Sequence, residues 1–367
     1  MQYTILGQTG LKVSRLGFGA MRLPMCGDGI DRDLAIPMIH HAFKQGVTYI
    51  DTAVFYCKQD SERVVGEALK GWRNKVVLST KNHCYEADEK AWWMNLENSL
   101  ERLDVEAIDI YNTHGVNADS YDQFVVPHIH GWMEKAKDQG LIKHICTSFH
   151  GSQEFFRRMV DDGLYECVTI QYNLLNRQFE DEIAYAKSKG MGIINMGPVG
   201  GGQLGGESEV LTQFVPNIAR VPELALRFVL TNPNIDVVLS GMSTMDHVEE
   251  NVRVVAANAP LNTEELNIID KHTVRLKKMA ELYCTGCRYC MPCPQGVDIP
   301  RIFSLYNKGR VYGLWDFAKA GYAELQEANK EDKRPADACT TCGACAPKCP
   351  QHIDIPTELK AAHTALS

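Results

Sequence analysis

Residues 47–81 contain VTYIDTA (47–53), SERVVGEALKGW (61–72) and KVVLSTK (75–81), joined by short polar connections. The outer two are brief runs of β-branched and aromatic residues, which predict strands, and the middle one repeats apolar residues three and four apart, which predicts an amphipathic helix. Strand, helix and strand in this order make a parallel β/α unit. The alternation runs outward on both sides: SRLGFGA (14–20) with DLAIPMIHHAFKQG (33–46), DEKAWWMNLENSLERL (88–103) after the third strand, AIDIYNTH (107–114) with YDQFVVPHIHGWMEKAKDQG (121–140), and HICTSF (144–149) with QEFFRRMVDDG (153–163). It ends with VTIQYN (168–173) and EDEIAYAKSKG (180–190), GIINMGP (192–198) and PELALRFVLTN (222–232), and DVVLSG (236–241) and MDHVEENVRVVAA (245–257). Eight such units predict an α/β chain folded as a closed (β/α)8 barrel rather than an open doubly wound sheet. No G-x-G-x-x-G follows the first strand, so a Rossmann dinucleotide fold has no support. Residues 3–15 predict a small hairpin closing the barrel bottom.

The 367 residues leave room for one further domain beyond that barrel. With 38 Lys and Arg against 46 Asp and Glu and no basic run, nucleic acid is not an expected partner. No apolar stretch approaches the ~20 residues that span a bilayer, and MQYTILGQTG lacks the features of a signal peptide, so no membrane partner and a cytoplasmic location are expected.

The chain carries 13 Cys. Five are scattered singly, at 26, 57, 84, 146 and 167, and imply no disulfide in a reducing compartment. The other eight form two bursts, Cys284-Thr-Gly-Cys287-Arg-Tyr-Cys290-Met-Pro-Cys293-Pro and Cys339-Thr-Thr-Cys342-Gly-Ala-Cys345-Ala-Pro-Lys-Cys349-Pro. The second fits C-x2-C-x2-C-x3-C-P, in which three closely spaced thiolates hold one iron-sulfur cubane and the Cys before Pro serves the other. Cluster one is therefore expected on Cys284, Cys287, Cys290 and Cys349, and cluster two on Cys339, Cys342, Cys345 and Cys293. The first burst is one residue short of the pattern, and two structural zinc sites are the alternative. CPQGVDIP (293–300) returns as CPQHIDIP (349–356), so two copies of one small unit are implied. The tail resembles the dicluster 4Fe-4S ferredoxin-like domains, of a mainly α-helical kind given KGRVYGLWDFAKAGYAELQEAN (308–329) between the bursts. The expected domains are 1–277 for the barrel and 278–367 for the tail.

Barrels of this type carry chemistry at the C-terminal ends of their strands. The second strand ends in Asp51, with Tyr56 five residues on, the third in Lys81 and the fourth in His114. A phenol with an ordinary pKa near 10 becomes a usable acid when an ammonium favours its phenolate. Lys81 is placed to do this, Asp51 to keep Lys81 charged, and His114 to hold a substrate oxygen or relay a proton. These residues, with Ser61-Glu62, Ser79-Thr-Lys81 and Asp109-Ile-Tyr-Asn-Thr-His114, resemble the Asp, Tyr, Lys, His tetrad of the aldo-keto reductases. The resemblance implies a TIM barrel that binds NAD(H) or NADP(H) at its mouth and passes hydride to or from a carbonyl or alcohol substrate. It also implies cofactor contacts from Met21, Ser148, Met196, Gly241, Met242, Ser243, His247, Glu250 and Asn251, with Glu250 and Asn251 facing the adenine. Gly241, Met242 and His247 replace cations common in NADP-using relatives, which favours NAD(H). Phe149 and Thr169 stand where Asn and a carboxamide-binding Gln are usual. Beside the mouth, Cys57, His83 and Cys84 are candidates for a redox or metal role or for plain packing, and His150 for reaching substrate.

A hydride carries two electrons and a 4Fe-4S cluster one, and no flavin motif links them. Two readings follow: a nicotinamide-dependent carbonyl reductase or alcohol dehydrogenase with an appended cluster domain, or an electron-transfer module that docks a redox protein partner beside an altered barrel site.

Overall fold

A computed structural model describes residues 1–367 except Cys84, Asn217, Ala219, Leu282, Tyr283, Thr285 and Asn329. Eight strands, β1 (Leu16–Gly19), β2 (Tyr49–Asp51), β3 (Val77–His83), β4 (Ile108–Val116), β5 (Ile142–Phe149), β6 (Cys167–Gln171), β7 (Gly192–Met196) and β8 (Val237–Gly241), pair in parallel and close into the expected barrel. The strands are rich in apolar and small residues because one face fills the barrel and the other lies under helices, while β3, β4 and β5 also carry Lys, Asn, Asp or His. The helices that follow are α1 (Arg32–Lys44), α2 (Ser61–Leu69), α3 (Glu89–Leu103), α4 (His130–Asp138), α5 (Gln153–Asp162), α6 (Glu180–Ser188), α7 (Val221–Thr231) and α8 (Met245–Ala257). Asp31, Asp88, Ser152 and Thr244 start α1, α3, α5 and α8, each accepting a first-turn N–H on its side-chain oxygen. The single helix expected over 121–140 is instead a wider π-type stretch, Tyr121–Ile129, leading into α4. Pro127 lies inside that stretch, and a proline has no N–H to continue α-helical bonding.

The hairpin over Tyr3–Ile5 and Lys12–Ser14 closes the bottom as expected. Leu6 and Val13 are fully buried with Tyr49, Ile110, Ile194 and Val237. Gly7 makes the approach possible: its φ is +48°, and a Cβ there would lie 2.3 Å from the backbone nitrogen of Gly192. At this level Cys146 and Cys167 are ladder partners on β5 and β6, and the structure joins them as a disulfide. This corrects the expectation of unpaired thiols. Parallel register, not sequence spacing, brings them together.

The chain divides into two compact units, Met1–Pro198 with Ala225–Pro260, and Val199–Leu224 with Leu261–Ser367. The second unit includes the segment after β7, Val199–Leu224. In the second unit, Phe214 stacks on His272 of α9 (Thr263–Glu281) at 4.9 Å, and Ser208 donates to the carbonyl of Tyr312 at 2.6 Å. Helices α10 (Ile299–Tyr312), α11 (Trp315–Ala328) and α12 (Ile355–Leu366) enclose a core of Ile299, Ile302, Phe303, Leu305, Tyr322, Ile355 and Leu359. Among the described residues no helix is long and apolar enough to cross a membrane.

Candidate functional site

At the barrel mouth the ladder sets Asp51 opposite Ser79, Lys81 opposite Asn112, and His83 opposite His114. Lys81 is almost fully buried, and its ammonium donates to Asp51 Oδ1 at 2.5 Å and to the carbonyl of Thr52 at 2.8 Å. Ser79 Oγ donates to the other oxygen of Asp51 at 2.8 Å, and Asn112 Nδ2 donates to Ser79 Oγ at 3.1 Å. Asp51, Ser79, Lys81 and Asn112 are thereby linked across three adjacent strands. Below them, buried Glu62 accepts from Thr80 at 2.7 Å and from Arg102 at 2.9 Å, tying α2, β3 and α3 together.

Tyr56 lies in the turn after β2, its ring 5.0 Å from Lys81 Nζ and edge-on to His114 at 6.2 Å. The turn is unusual: Cys57, Lys58 and Gln59 all have positive φ. Bonds from outside it hold it, with the Cys57 thiol donating to the carbonyl of Met21 at 3.4 Å and Lys58 pairing with Asp28. Non-glycine residues persist in this conformation where surrounding contacts fix them.

Burial would lower the pKa of Lys81, but Asp51 and Tyr56 more than offset it, so the ammonium is retained. For Tyr56 the balance runs against expectation. Lys81 does pull the phenol down, yet burial, with Asp51 adding to it, pushes the phenol above its ordinary value. His114 is lowered to about 4 by burial and then by Lys81, His150 and His83, so its imidazole is neutral at pH 7. The mouth therefore offers an uncharged phenol O–H and an uncharged imidazole to a single oxygen, with a fixed cation behind them.

The expected cofactor residues divide. Met21 and Gly241 are exposed at the mouth, and Met196 ends β7. Ser148 Oγ is spent on the N–H of Gly115 at 2.9 Å. After β8, Thr244 caps α8 while the N–H of Ser243 points to His247 Nδ1 at 3.4 Å. Met242 and Asn251 lie beneath this loop, and Asn251 donates to Ser240 Oγ at 2.9 Å, which supports the strand end rather than facing outward. Glu250 is only partly exposed, on the same helix. Two residues were not found from sequence. Gln171 ends β6 exposed, on the same face as buried Thr169 two residues below, so strand alternation carried one step further would have found a carboxamide here. Arg22, in the turn after β1, lies against Gly241, so a cation stands at the loop from another element. Phe149 packs among Phe155, Phe156 and Phe179. Trp92 packs with Trp93, Tyr111 and Trp132. Cys84 lies outside the described residues.

In the second unit the repeated octapeptide folds twice in the same way. After Cys293 and Cys349 the chain takes a left-handed residue, Gly296 or His352, and then Asp298 or Asp354 caps a helix that begins Ile-Pro. Only the first copy needs glycine, because a Cβ on residue 296 would meet the carbonyl of Glu331. Each copy delivers its cysteine to the other burst. One small pocket is lined by Cys284, Cys287, Cys290 and Cys349, and another by Cys339, Cys342, Cys345 and Cys293. Ile299 borders both. Burial pushes the thiols of Cys284 and Cys345 up and that of Cys290 up to about 11.

Residues 15–221 and 217–274 match the aldo/keto reductase family, and residues 283–353 match the 4Fe-4S dicluster domain. The L-galactose dehydrogenase of Arabidopsis thaliana is 28% identical over 288 residues, 71% of this chain and 90% of that one. The NADH-specific methylglyoxal reductase of Escherichia coli (strain K12) is 26% identical over 328 residues, 75% of this chain and 97% of that one. Among solved structures, aldo-keto reductase AKR11C1 from Bacillus halodurans in its holo form superposes with a TM-score of 0.64 at 29% identity, covering 74% of this chain and 96% of that one. The chain belongs to the aldo/keto reductase family of oxidoreductases and carries a 4Fe-4S dicluster domain at its C-terminus.

Proposed function

We propose that the barrel interconverts a carbonyl and an alcohol on a small substrate, with Tyr56 as the general acid and base. The observation that carries this reading is the bonded set Asp51–Lys81 standing 5.0 Å from the Tyr56 ring, with His114 on its other side. Bound NAD(H) or NADP(H) would supply or accept the hydride. The substrate oxygen, which gains negative charge in reduction, sits between the Tyr56 hydroxyl and neutral His114 and takes its proton from the phenol. The Lys81 ammonium favours the phenolate left behind, and Asp51 with the Thr52 carbonyl keeps that ammonium in place. In the reverse direction the phenolate accepts the proton.

The residues at the mouth fit such a cofactor. Gln171 ends β6, Met21 and Met196 provide apolar walls, and Gly241 and Ser243 precede the N-terminus of α8, where backbone N–H groups suit a phosphate, while Ser148, buried one residue before the end of β5, holds the Gly115 N–H beside them. Glu250 and His247 on α8 border that loop. Both the methylglyoxal reductase and the L-galactose dehydrogenase act, by their names, on small oxygenated compounds, and the same class is proposed here.

For the tail, the two four-cysteine cavities support two 4Fe-4S clusters with exchanged fourth ligands, as the spacing predicts. The unbroken C-x2-C-x2-C-x3-C-P run of the second burst favours clusters over zinc. Such clusters exchange single electrons. Cys287 and Cys342, one in each set, are exposed, which supports exchange with a redox partner at those edges.

Anaerobic purification, iron and sulfide analysis, and assay with NADH and NADPH over aldehydes, ketones and sugars test both halves. Turnover that Tyr56→Phe lowers at least a hundredfold, at unchanged iron content, is the expected result. A protein that binds neither nucleotide and turns over nothing would leave only the electron-transfer reading.

A further inference from the structure

The two cysteine bursts contain the same turn with different residues in it. Between its second and third cysteines the first burst has Arg288-Tyr289, and the second has Gly343-Ala344. Both turns close alike: the N–H of Met291 donates to the carbonyl of Arg288 at 2.9 Å, and that of Ala346 to the carbonyl of Gly343 at 3.3 Å. Arg288 also takes the left-handed conformation of Gly343, with φ of +65° against +75°. Glycine suits that φ and arginine does not, so the fold itself does not ask for the Arg-Tyr pair.

The pair is presented outward. Arg288 is exposed, Tyr289 is 66% exposed, and among the described residues neither side chain has a hydrogen bond or ion pair. Arg288 is also the one charged residue that lines either cysteine pocket. Lys348, exposed and likewise unpaired among the described residues, directly precedes Cys349, the fourth cysteine of the same pocket. Acids on the bordering helix α12 are already engaged, since Asp354 caps it and Glu358 pairs with Arg310 at 2.8 Å. The Cys284 pocket thus has a cationic and aromatic rim, whereas the residues lining the Cys339 pocket are all uncharged.

We propose that the Arg288-Tyr289 turn, with Lys348, docks an acidic one-electron carrier protein, so that electrons pass at the Cys284, Cys287, Cys290 and Cys349 set rather than at the other. The inference rests on the reading of these cysteines as cluster ligands, and adds which set meets the partner and the sign of the partner's charge. Arg and Tyr are the side chains that most often anchor an interface, each joining a large flat contact to a polar tip. Carboxylates of the carrier pair with Arg288 and Lys348, and its apolar surface covers the Tyr289 ring. One electron moves and nothing else: the reduced carrier is oxidised by one electron as the centre held by these cysteines is reduced by one.

The test uses the anaerobically purified full chain, its iron and sulfide measured first, with an acidic plant-type ferredoxin as probe and cytochrome c as a basic counterpart. Calorimetry in about 50 mM salt should show ferredoxin binding that weakens severalfold or more by about 300 mM, because exposed charges are screened. Cytochrome c should not bind. Combining Arg288→Gly with Tyr289→Ala gives the first turn the residues that the second already accommodates, so iron content should hold while ferredoxin affinity falls about tenfold or more. Lys348→Glu should lower the affinity too, and Thr340→Glu, at the other pocket, should change it far less. Four results would overturn the inference: equal binding by the double variant, a preference for cytochrome c, complexes only between copies of this chain, or no binding to an iron-replete protein. A chain that holds no iron and sulfide overturns the cluster reading first, and the docking site falls with it.

Discussion

The barrel mouth and the cysteine tail both concentrate groups that burial would penalise, and they manage the penalty in opposite ways. At the mouth every charge is answered by the chain itself: Lys81 by Asp51 and Thr52, Asp51 by Ser79, and Ser79 by Asn112. In the tail the thiols of Cys284, Cys290 and Cys345 are pushed toward their protonated form, and the neighbours that shift them include one another. A site completed by its own side chains is assembled by the fold, whereas one completed by metal helps to assemble the fold around it. Iron removal should therefore disrupt the second unit and spare the barrel, and substitutions can separate the two.

The largest effect is expected from Lys81→Met, which removes the cation while keeping the length of the stem. The phenolate loses its partner and Asp51 is left as an uncompensated buried carboxylate, so kcat should fall a hundredfold or more. Steady-state kinetics read this, and iron content should not change. A loss of iron in Lys81→Met would break the separation drawn above.

Next is the crossover. Cys349→Ser should damage the cluster held by Cys284, Cys287 and Cys290, although it lies in the other burst, and Cys293→Ser should damage the one held by Cys339, Cys342 and Cys345. Each should lower iron and sulfide toward half. Electron paramagnetic resonance of the reduced proteins distinguishes the remaining cluster, and Cys349→Ser should leave the same spectrum as Cys284→Ser. A spectrum matching Cys339→Ser instead would mean that each burst serves its own cluster.

The third prediction concerns pH. His114 titrates near 4 in the folded protein against an ordinary value of 6.5, so between these values the unfolded chain binds the extra proton. Stability from this group is present above about pH 6.5 and is lost as pH falls toward 4, by roughly 3 kcal/mol in all. Denaturant midpoints of the barrel, followed by tryptophan fluorescence from pH 7 to 4.5, should fall, and His114→Gln should flatten the slope. An unchanged slope in the variant would show that other groups carry it.

What sequence could reveal follows the same division. The eight cysteines proposed as cluster ligands were legible because three of each four are local in sequence, and the fourth is flagged by the repeat of Cys-Pro-Gln before an Asp-capped helix. Three residues of the proposed site, Asp51, Lys81 and His114, were legible because each lies at or near the C-terminal end of a strand pattern. Features that depend on the register between strands were not. Cys146 and Cys167 meet only because β5 and β6 align there, and Arg22 reaches Gly241 only because β1 and β8 close the barrel. Gln171 was missed although the expected sixth strand, residues 168–173, contains it, because attention stayed on Thr169 two residues earlier on the same face. The net rise of the Tyr56 pKa was hidden for a similar reason, since sequence names its charged neighbours but not its depth of burial.

The smallest expected effect tests how much of the mouth is redundant. Ser79→Ala removes one of two side-chain bonds to Asp51 and leaves Lys81 on the other oxygen. Asn112 loses its bond to Ser79 but keeps one to the carbonyl of Thr80 at 3.1 Å, so it stays in place. A single hydrogen bond to a charged group contributes about 1.5–3 kcal/mol when its loss is uncompensated, and here Lys81 compensates part of it. The expected result is a several-fold fall in kcat with KM little changed, because the residue acts on the proton donor through Asp51 and Lys81 rather than on substrate. If Asp51 held Lys81 correctly without Ser79, the rate would not move. Every link in the chain from Asn112 to Tyr56 would then be packing rather than support, and the contrast with the metal-completed tail would narrow to the Asp51–Lys81 pair alone.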